Sequence, residues 1–211
     1  TWFKVTNLAK GTAEVAIYDE IGQWGVTASD FMAELSTVTA GSITLRINSP
    51  GGDVFDGIAI LNYLRAHKAT VNVVVDGLAA SAASFIAMVG DTIEMSPGSM
   101  MMIHEASGAV MGGAPDMREL ADLLDKTSET IAGIYAGKSK RAPEEHRRAM
   151  KAETWYSDQE AVDAGLADSV IGVVAAPTNL LVTKISAPAI PTWDDVFADI
   201  DLEAISKALE G

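Results

Sequence analysis

Two segments of the chain carry a serine and a histidine in settings that suit nucleophilic chemistry. Ser81 ends the small-residue segment Gly77-Leu-Ala-Ala-Ser and stands at the predicted start of a buried helix. The free amides at a helix N-terminus favour the negative charge that develops during acyl transfer. His104 ends the apolar run Met100-Met-Met-Ile and is the one well-placed base for a serine hydroxyl. The pair therefore indicates acyl transfer through an activated serine.

Each of these segments also has a simpler interpretation. Small residues beside Ser81 are typical of close helix packing, with the serine as a cap, and a histidine in an apolar run is usually a core residue. The Gly-x-Ser-x-Gly turn of the α/β hydrolases is absent, which disfavours that family. Ser84, one helical turn further on, is the alternative nucleophile. His67 and His146 lie in charged helical contexts and are expected at the surface.

A paired-glycine turn, Asn48-Ser-Pro-Gly-Gly-Asp, is the third segment with chemical potential. Paired glycines permit a tight turn and leave backbone amides free to point into a cleft. An ordinary turn between a strand and a helix explains the same residues. A histidine base also requires a carboxylate to hold it, and the 29 acidic residues leave many choices.

The elements that position these residues follow from the hydrophobic pattern. Short runs rich in Val and Ile alternate with helix-length segments that have apolar residues three and four apart. The predicted strands are 14–18, 43–48, 71–76, 92–95 and 169–174, and the predicted helices are 27–35, 53–66, 81–89 and 115–135. This alternation predicts an α/β fold with a mostly parallel sheet, whose post-strand loops share one edge. Function is expected at that edge.

Composition excludes several classes of protein. The 211 residues are 48% hydrophobic and 21% charged, as in a globular domain, and the absence of cysteine excludes disulfides and thiolate metal sites. A net charge of −14 disfavours nucleic acid and anionic lipid as partners. The apolar stretch 77–90 is shorter than the roughly 18 residues of a membrane span, and the N-terminus lacks signal-peptide features. We expect a cytoplasmic protein without a metal or cofactor.

Taken together and in order, four segments resemble the ClpP peptidase family, and in detail its phage-encoded relatives that mature proheads. The four segments are 48–52, 77–81, 102–104 and 153–168. The resemblance covers residues 1 to about 171 and implies a ClpP/crotonase-like fold of repeated β-β-α units. Residues 172–211 are then expected to form a proline-containing linker and an acidic C-terminal helix or tail.

The resemblance also implies roles for individual residues. These are Ser81 as nucleophile, His104 as base and Glu153 as the acid, with an oxyanion hole formed by the amides of Gly51 and Ala82. Cellular members have aspartate at the position of Glu153, so Asp158 and Asp163 remain alternatives. No metal has a role in this chemistry.

The same resemblance implies a substrate and an assembly. The segment Ser107–Gly113, through Ser107, Gly108, Gly112 and Gly113, would bind a polypeptide substrate as an added strand. The helix from Pro115 would join one or two stacked homo-oligomeric rings of about 12 to 14 subunits in all. A phage scaffold or capsid protein is the expected substrate, and a ring ATPase partner is not expected.

Three competing interpretations remain open. The chain could be a catalytically inactive ring subunit or capsid-associated structural protein. It could be a crotonase-like acyl-CoA enzyme, which uses glycine-turn amides but needs no serine and histidine pair. It could also be related to signal-peptide peptidases with a Ser–Lys dyad, for which Lys126 is the one lysine near the middle of the chain.

Overall fold

A single mixed sheet organises the protein. The computed structural model describes residues 3–8 and 11–172, and all of them fall in one compact unit, Thr1–Val174. Eight strands form the sheet: β1 (Phe3–Leu8), β2 (Thr12–Ile17), β3 (Ser42–Ser49), β4 (Thr70–Ala80), β5 (Thr92–Met95), β6 (Met100–Ile103), β7 (Thr154–Ser157) and β8 (Ser169–Val170). The predicted linker and acidic helix after Ala175 lie outside the described residues.

The order of the main sheet is β1-β2-β3-β4-β5-β8, and β6 and β7 extend from β4 in a second direction. The pairs β2–β3, β3–β4, β4–β5, β4–β6 and β5–β8 are parallel, whereas β1–β2 and β6–β7 are antiparallel. The predicted α/β fold with a mostly parallel sheet is therefore confirmed. Strand β4 is long enough to serve two neighbours, since Asn72–Val75 pairs with β5 and Leu78–Ala80 with β6.

Six helices accompany the strands among the described residues. They are α1 (Ala28–Leu35), α2 (Val54–Ala66), α3 (Ala82–Ala87), α4 (Ala114–Ser139), α5 (Pro143–Lys151) and α6 (Asp158–Asp163). Local sequence explains where the first two begin. Thr27 Oγ1 accepts the Asp30 amide at 3.1 Å, and Asp53 accepts two amides of the first turn of α2. Within 3–8 and 11–172, no helix is long and apolar enough to span a membrane.

The core lies between the central strands and the helices that cover them. Strands β2 and β3 alternate buried and half-buried residues, as expected for strands with one face against a core. Phe31 and Leu35 of α1 and Leu61 of α2 are fully buried against this sheet. Burying side chains of this size stabilises the fold by about 1.5–3 kcal/mol each, relative to leaving them exposed.

Several elements differ from those predicted. Strand β4 continues four residues beyond the predicted end at Asp76, so 77–80 is a strand and not a loop before the helix. Strands β1, β6 and β7 and helix α5 were not predicted, because each is short or polar and lacks a long apolar period. Strand β8 covers only the first part of the predicted 169–174. Residues 173–174 lie outside the described ranges.

Candidate active site

Ser81 lies at a sharp turn between a strand and a helix. It follows the last residue of β4 directly and precedes Ala82, the first residue of α3. Its φ of 52° and ψ of −122° are unusual for a residue with a side chain, and such a conformation costs roughly 1–3 kcal/mol. Hydrogen bonds hold the turn, because the Ser81 amide donates to Met102 O at 3.0 Å. The half-buried Ser81 side chain therefore has a fixed direction.

His104 reaches Ser81 because the strands that precede the two residues are neighbours. Strand β6 runs parallel to the end of β4, with Ala80 paired to Met102, so both strands deliver the following residues to one edge. His104 Nε2 lies 2.6 Å from Ser81 Oγ. At this distance the imidazole can accept the hydroxyl proton as the oxygen attacks a carbonyl. The structure thus brings the two predicted side chains together in the geometry of a nucleophile and its base.

Glu153 is placed opposite His104 by the register of β6 and β7. Ile103 pairs with Thr154 in this antiparallel ladder, so the residues just beyond the pair are His104 and Glu153. The Glu153 side chain is exposed and forms no hydrogen bond with His104 among the described residues. Its backbone has a φ of 45°. The backbone position suits a third catalytic residue, and the role of Glu153 stays a prediction.

The two alternative acids have other partners. Asp158 accepts the Gly98 amide at 2.8 Å, and Asp163 accepts the side-chain amide of Gln159 at 3.0 Å. Neither hydrogen bond involves His104. Asp158 and Asp163 are thus occupied in local structure at the start and end of α6.

The paired-glycine turn lies directly against Ser81, and its two glycines differ. Gly51 is buried and donates its amide to Ser49 Oγ at 3.1 Å. Gly52 is exposed, borders the cavity described below, and donates its amide to none of the described residues. The Ala82 amide is in the first turn of α3, where amides have no partner within the helix. Of the two glycine amides, that of Gly52 is the one free to meet an oxyanion beside Ala82.

A cavity of about 260 Å³ opens beside Ser81 and His104. Its walls include Phe85 and the residues Leu120, Leu124, Ile131 and Tyr135 of α4, most of them apolar. Such a cavity fits one large apolar side chain. These α4 residues were missed as site residues, although their spacing of four and seven marks them as one face of the predicted helix.

The predicted substrate segment is divided by the structure. Ser107 and Gly108 are exposed and line the cavity. Gly112 and Gly113 do not line it, and Gly113 donates its amide to Asp116 Oδ2 at 2.7 Å at the start of α4. Residues 104–113 form neither helix nor strand in the single chain. A role in strand addition therefore stays a prediction.

The alternative nucleophile and base are poorly placed. Ser84 is completely buried, and its Oγ contacts Ser81 O and Tyr135 Oη, both at 2.6 Å. Lys126 is exposed on α4 and is not among the residues that line the cavity. The geometry thus favours Ser81 over Ser84 and gives no support to a Ser–Lys dyad.

The expectation that His146 lies at the surface is wrong. It is 3% exposed, its Nε2 lies 2.6 Å from Ser139 Oγ, and its ring packs on Tyr135 with centroids 5.8 Å apart. Burial lowers its pKa, and the nearby Arg141 acts in the same direction. The residues around His146 are mostly charged and exposed, among them Glu144, Glu145 and Arg148. This charged sequence hid the fact that one face of α5 is buried.

An ion-pair cluster follows His104 in the chain. Arg147 of α5 donates Nε to Glu105 at 2.5 Å and Nη2 to Asp125 at 2.7 Å. The hydrogen bond to Glu105 raises the Arg147 pKa above its already high ordinary value. The cluster connects α4 and α5 to the residue beside His104. Within the described ranges, no group of three His, Asp or Glu side chains is arranged to hold a metal.

Comparison with known proteins agrees with this geometry. The family model described as Clp protease matches residues 1–174. The ATP-dependent Clp protease proteolytic subunit of Deinococcus radiodurans is 35% identical over 131 residues, which are 61% of this chain and 64% of that protein. Subunit 3 of the same enzyme from Streptomyces coelicolor is 32% identical over 156 residues, or 71% and 72% of the two chains. The aligned part is thus less than two thirds of the Deinococcus protein.

Proposed function

The chain belongs to the Clp protease family, and on this basis we propose that it is a serine endopeptidase. Ser81 is its nucleophile and His104 its general base. The observation that carries the proposal is the 2.6 Å separation of Ser81 Oγ and His104 Nε2 at the wall of an apolar cavity. A crotonase-like enzyme needs no such pair.

The reaction follows from the positions of these groups. Ser81 Oγ attacks the carbonyl carbon of the scissile peptide bond while His104 Nε2 takes the hydroxyl proton. The carbonyl oxygen becomes an oxyanion and accepts hydrogen bonds from the amides of Ala82 and Gly52. Gly52 takes the place of Gly51, the donor that the sequence predicted, because the Gly51 amide already donates to Ser49 Oγ. The protonated His104 then gives its proton to the leaving amine, and an acyl group stays on Ser81. Water, activated by His104, hydrolyses this ester and restores the enzyme.

Glu153 completes the proposed triad by accepting a hydrogen bond from His104 Nδ1. The register of β6 and β7 supports this role, because it places the two residues opposite each other. The exposed side chain has to turn towards the imidazole for the contact to form. Once there, its charge holds the imidazole orientation and stabilises the protonated ring.

The cavity supports a preference for a large apolar residue on the acyl side of the scissile bond. The polypeptide would extend along Ser107 and Gly108, with Gly112 and Gly113 further along the same segment. Main-chain pairing of this kind tolerates many sequences, so we expect the cavity to provide most of the selectivity.

Assembly into homo-oligomeric rings belongs to the same proposal. The first half of α4 is exposed, and Met117 and Leu123 there are 47% and 46% accessible. An apolar surface of this kind suits a subunit contact. The finer expectations rest on the resemblance of the four segments alone. They are processing of a phage scaffold or capsid protein in the host cytoplasm or prohead, and activity without a ring ATPase.

The test is labelling with a fluorophosphonate, which reacts with activated serines, followed by intact-mass measurement. We expect one adduct on the wild type, none on Ser81→Ala and a much slower reaction of His104→Ala. Hydrolysis of a fluorogenic peptide should follow the same order. An inactive ring subunit is the second candidate function. The observation that favours it is that Glu153 is exposed and, among the described residues, forms no hydrogen bond with His104. No adduct on a folded, assembled wild type would refute the peptidase proposal in favour of an inactive ring subunit or a crotonase-like enzyme.

A further inference from the structure

The carbonyl of the peptide bond between Ser81 and Ala82 accepts hydrogen bonds from Ser84, whose hydroxyl in turn contacts the hydroxyl of Tyr135. Ser84 Oγ lies 2.6 Å from the Ser81 carbonyl oxygen, and the Ser84 amide lies 3.0 Å from the same atom. Ser84 Oγ also lies 2.6 Å from Tyr135 Oη. Ser84 is completely buried and Tyr135 is 1% exposed, so water does not compete for these contacts.

The direction of the two hydrogen bonds is fixed by the number of available protons. A carbonyl oxygen can only accept a hydrogen bond, so Ser84 donates its one hydroxyl proton to Ser81 O. Tyr135 is then the donor to Ser84 Oγ. Burial raises the pKa of Tyr135, which keeps its hydroxyl protonated and able to donate. The hydroxyls form an ordered chain that runs from Tyr135 through Ser84 to Ser81.

This chain ends on the peptide group that supplies an oxyanion donor. A peptide is planar, and its C=O and N–H point in opposite directions, so a hold on the Ser81 carbonyl also orients the Ala82 amide. Hydrogen bonds to a carbonyl polarise the whole peptide and strengthen its N–H as a donor. The turn needs such a hold, because Ser81 is in a strained conformation with a φ of 52°.

We infer that Ser84 and Tyr135 are positioning residues that orient and polarise the Ala82 amide for the oxyanion. This inference rests on the proposed function of the site. It adds two residues that stabilise the transition state through the Ala82 amide without contacting the substrate carbonyl. Tyr135 also lines the cavity, so one side chain contacts both the substrate pocket and the hydroxyl chain.

The experiment compares Ser84→Ala, Tyr135→Phe and the double variant with the wild type. The first readout is the second-order rate of fluorophosphonate labelling, whose phosphonyl oxygen uses the same amides. The second is kcat and KM for a fluorogenic peptide with leucine before the cleaved bond, expressed per labelled site. We expect Ser84→Ala to slow labelling and kcat about tenfold, with KM changed less than about twofold.

Tyr135→Phe keeps the shape of the buried ring and should slow both rates about threefold, since Ser84 still holds the carbonyl. The double variant should be no slower than Ser84→Ala, because Tyr135 acts through Ser84. Ser36→Ala is the matched control. It removes a serine hydroxyl that makes the same kind of contact, with Ser36 Oγ 2.6 Å from Ala33 O at the end of α1 and away from the cavity, and it should leave both rates unchanged.

Three results would overturn the inference: wild-type labelling rates in Ser84→Ala, an equal loss in Ser36→Ala, or additive losses in the double variant. A purely structural role would reduce the number of labelled sites and not the rate at each site. A wild type that is labelled but cleaves no peptide would refute the proposed function alone, because the labelling rates of the variants still test the roles of Ser84 and Tyr135. A wild type without any labelling would refute both.

Discussion

Replacing Gly51 by alanine tests whether the glycine turn sets the position of the nucleophile. A Cβ on Gly51 would lie 2.5 Å from Ala80 O, 2.7 Å from the Ala82 nitrogen and 2.7 Å from Ser81 Cβ. Ordinary contact begins near 3.4 Å, so the Ser81 turn has to move by about 0.7 Å or more. A displacement of about 1 Å in an active site can reduce the rate about 100-fold, and we expect a loss of that size in kcat.

The same substitution should also reduce stability. Gly51 has a φ of 91°, a conformation that disfavours alanine by about 1–3 kcal/mol, apart from the crowding. Gly133→Ala is the control, because a Cβ there meets nothing within 4 Å and the residue lies inside helix α4. It should raise the free energy of unfolding by about 0.5–1 kcal/mol and leave kcat unchanged.

The assay is urea unfolding of both variants together with kcat for a fluorogenic peptide, measured per folded molecule. A folded Gly51→Ala protein with wild-type kcat would refute the reasoning, because the nucleophile would then tolerate movement of its turn. A Gly133→Ala protein with reduced kcat would show instead that kcat responds to an alanine far from the turn, so that the loss in Gly51→Ala could not be assigned to the position of the nucleophile.

Three further predictions concern the acid, the cavity and a buried histidine. Glu153→Gln should lower kcat at least about 100-fold with little change in KM, since the amide cannot stabilise protonated His104; unchanged steady-state kinetics would exclude Glu153. Leu124→Ala enlarges the cavity and should raise KM about tenfold for peptides with leucine before the cleaved bond, but not for those with alanine; equal effects on both peptides would argue against a selectivity pocket. The pKa of His146 is lowered by burial from its ordinary 6.5, so its neutral form stabilises the fold fully above pH 6.5, and this contribution declines as pH falls towards the lowered pKa. Urea unfolding at pH 7.5 and 5.5 should show a smaller loss in His146→Gln than in the wild type, and identical losses would contradict this.

Local signals in the sequence were sufficient for the elements that carry the site. Thr27 and Asp53 each cap a helix by accepting amides two or three residues further on, so the neighbouring sequence is enough to predict where each helix begins. The alternation of short apolar runs with helix-length segments likewise predicted the parallel sheet, because each run can be read from its own residues. Ser81 and His104 could be singled out because each follows a strand, and parallel strands deliver such residues to one edge.

Long-range contacts account for most of what was missed. Ser84 and Tyr135 are 51 residues apart, and the sequence around neither residue predicts the hydrogen bond between them. The burial of His146 depends on the ring of Tyr135 from another helix. Which of two adjacent glycines offers its amide depends on Ser49, whose hydroxyl takes that of Gly51. Such choices are made by tertiary packing and leave no periodic pattern.

The split pairing of β4 affects how the reactive pair responds to local opening of the protein. Ser81 and His104 sit at the ends of two hydrogen-bonded neighbours in one ladder, Leu78–Ala80 and Met100–Met102. Ladders of this kind open among the last parts of a domain, whereas loops open at little cost in free energy. The amide of Ser81, which donates to Met102 O, should therefore exchange its hydrogen with solvent as slowly as the central strands. The backbone that leads into the nucleophile and the base is therefore expected to open only when the sheet itself opens.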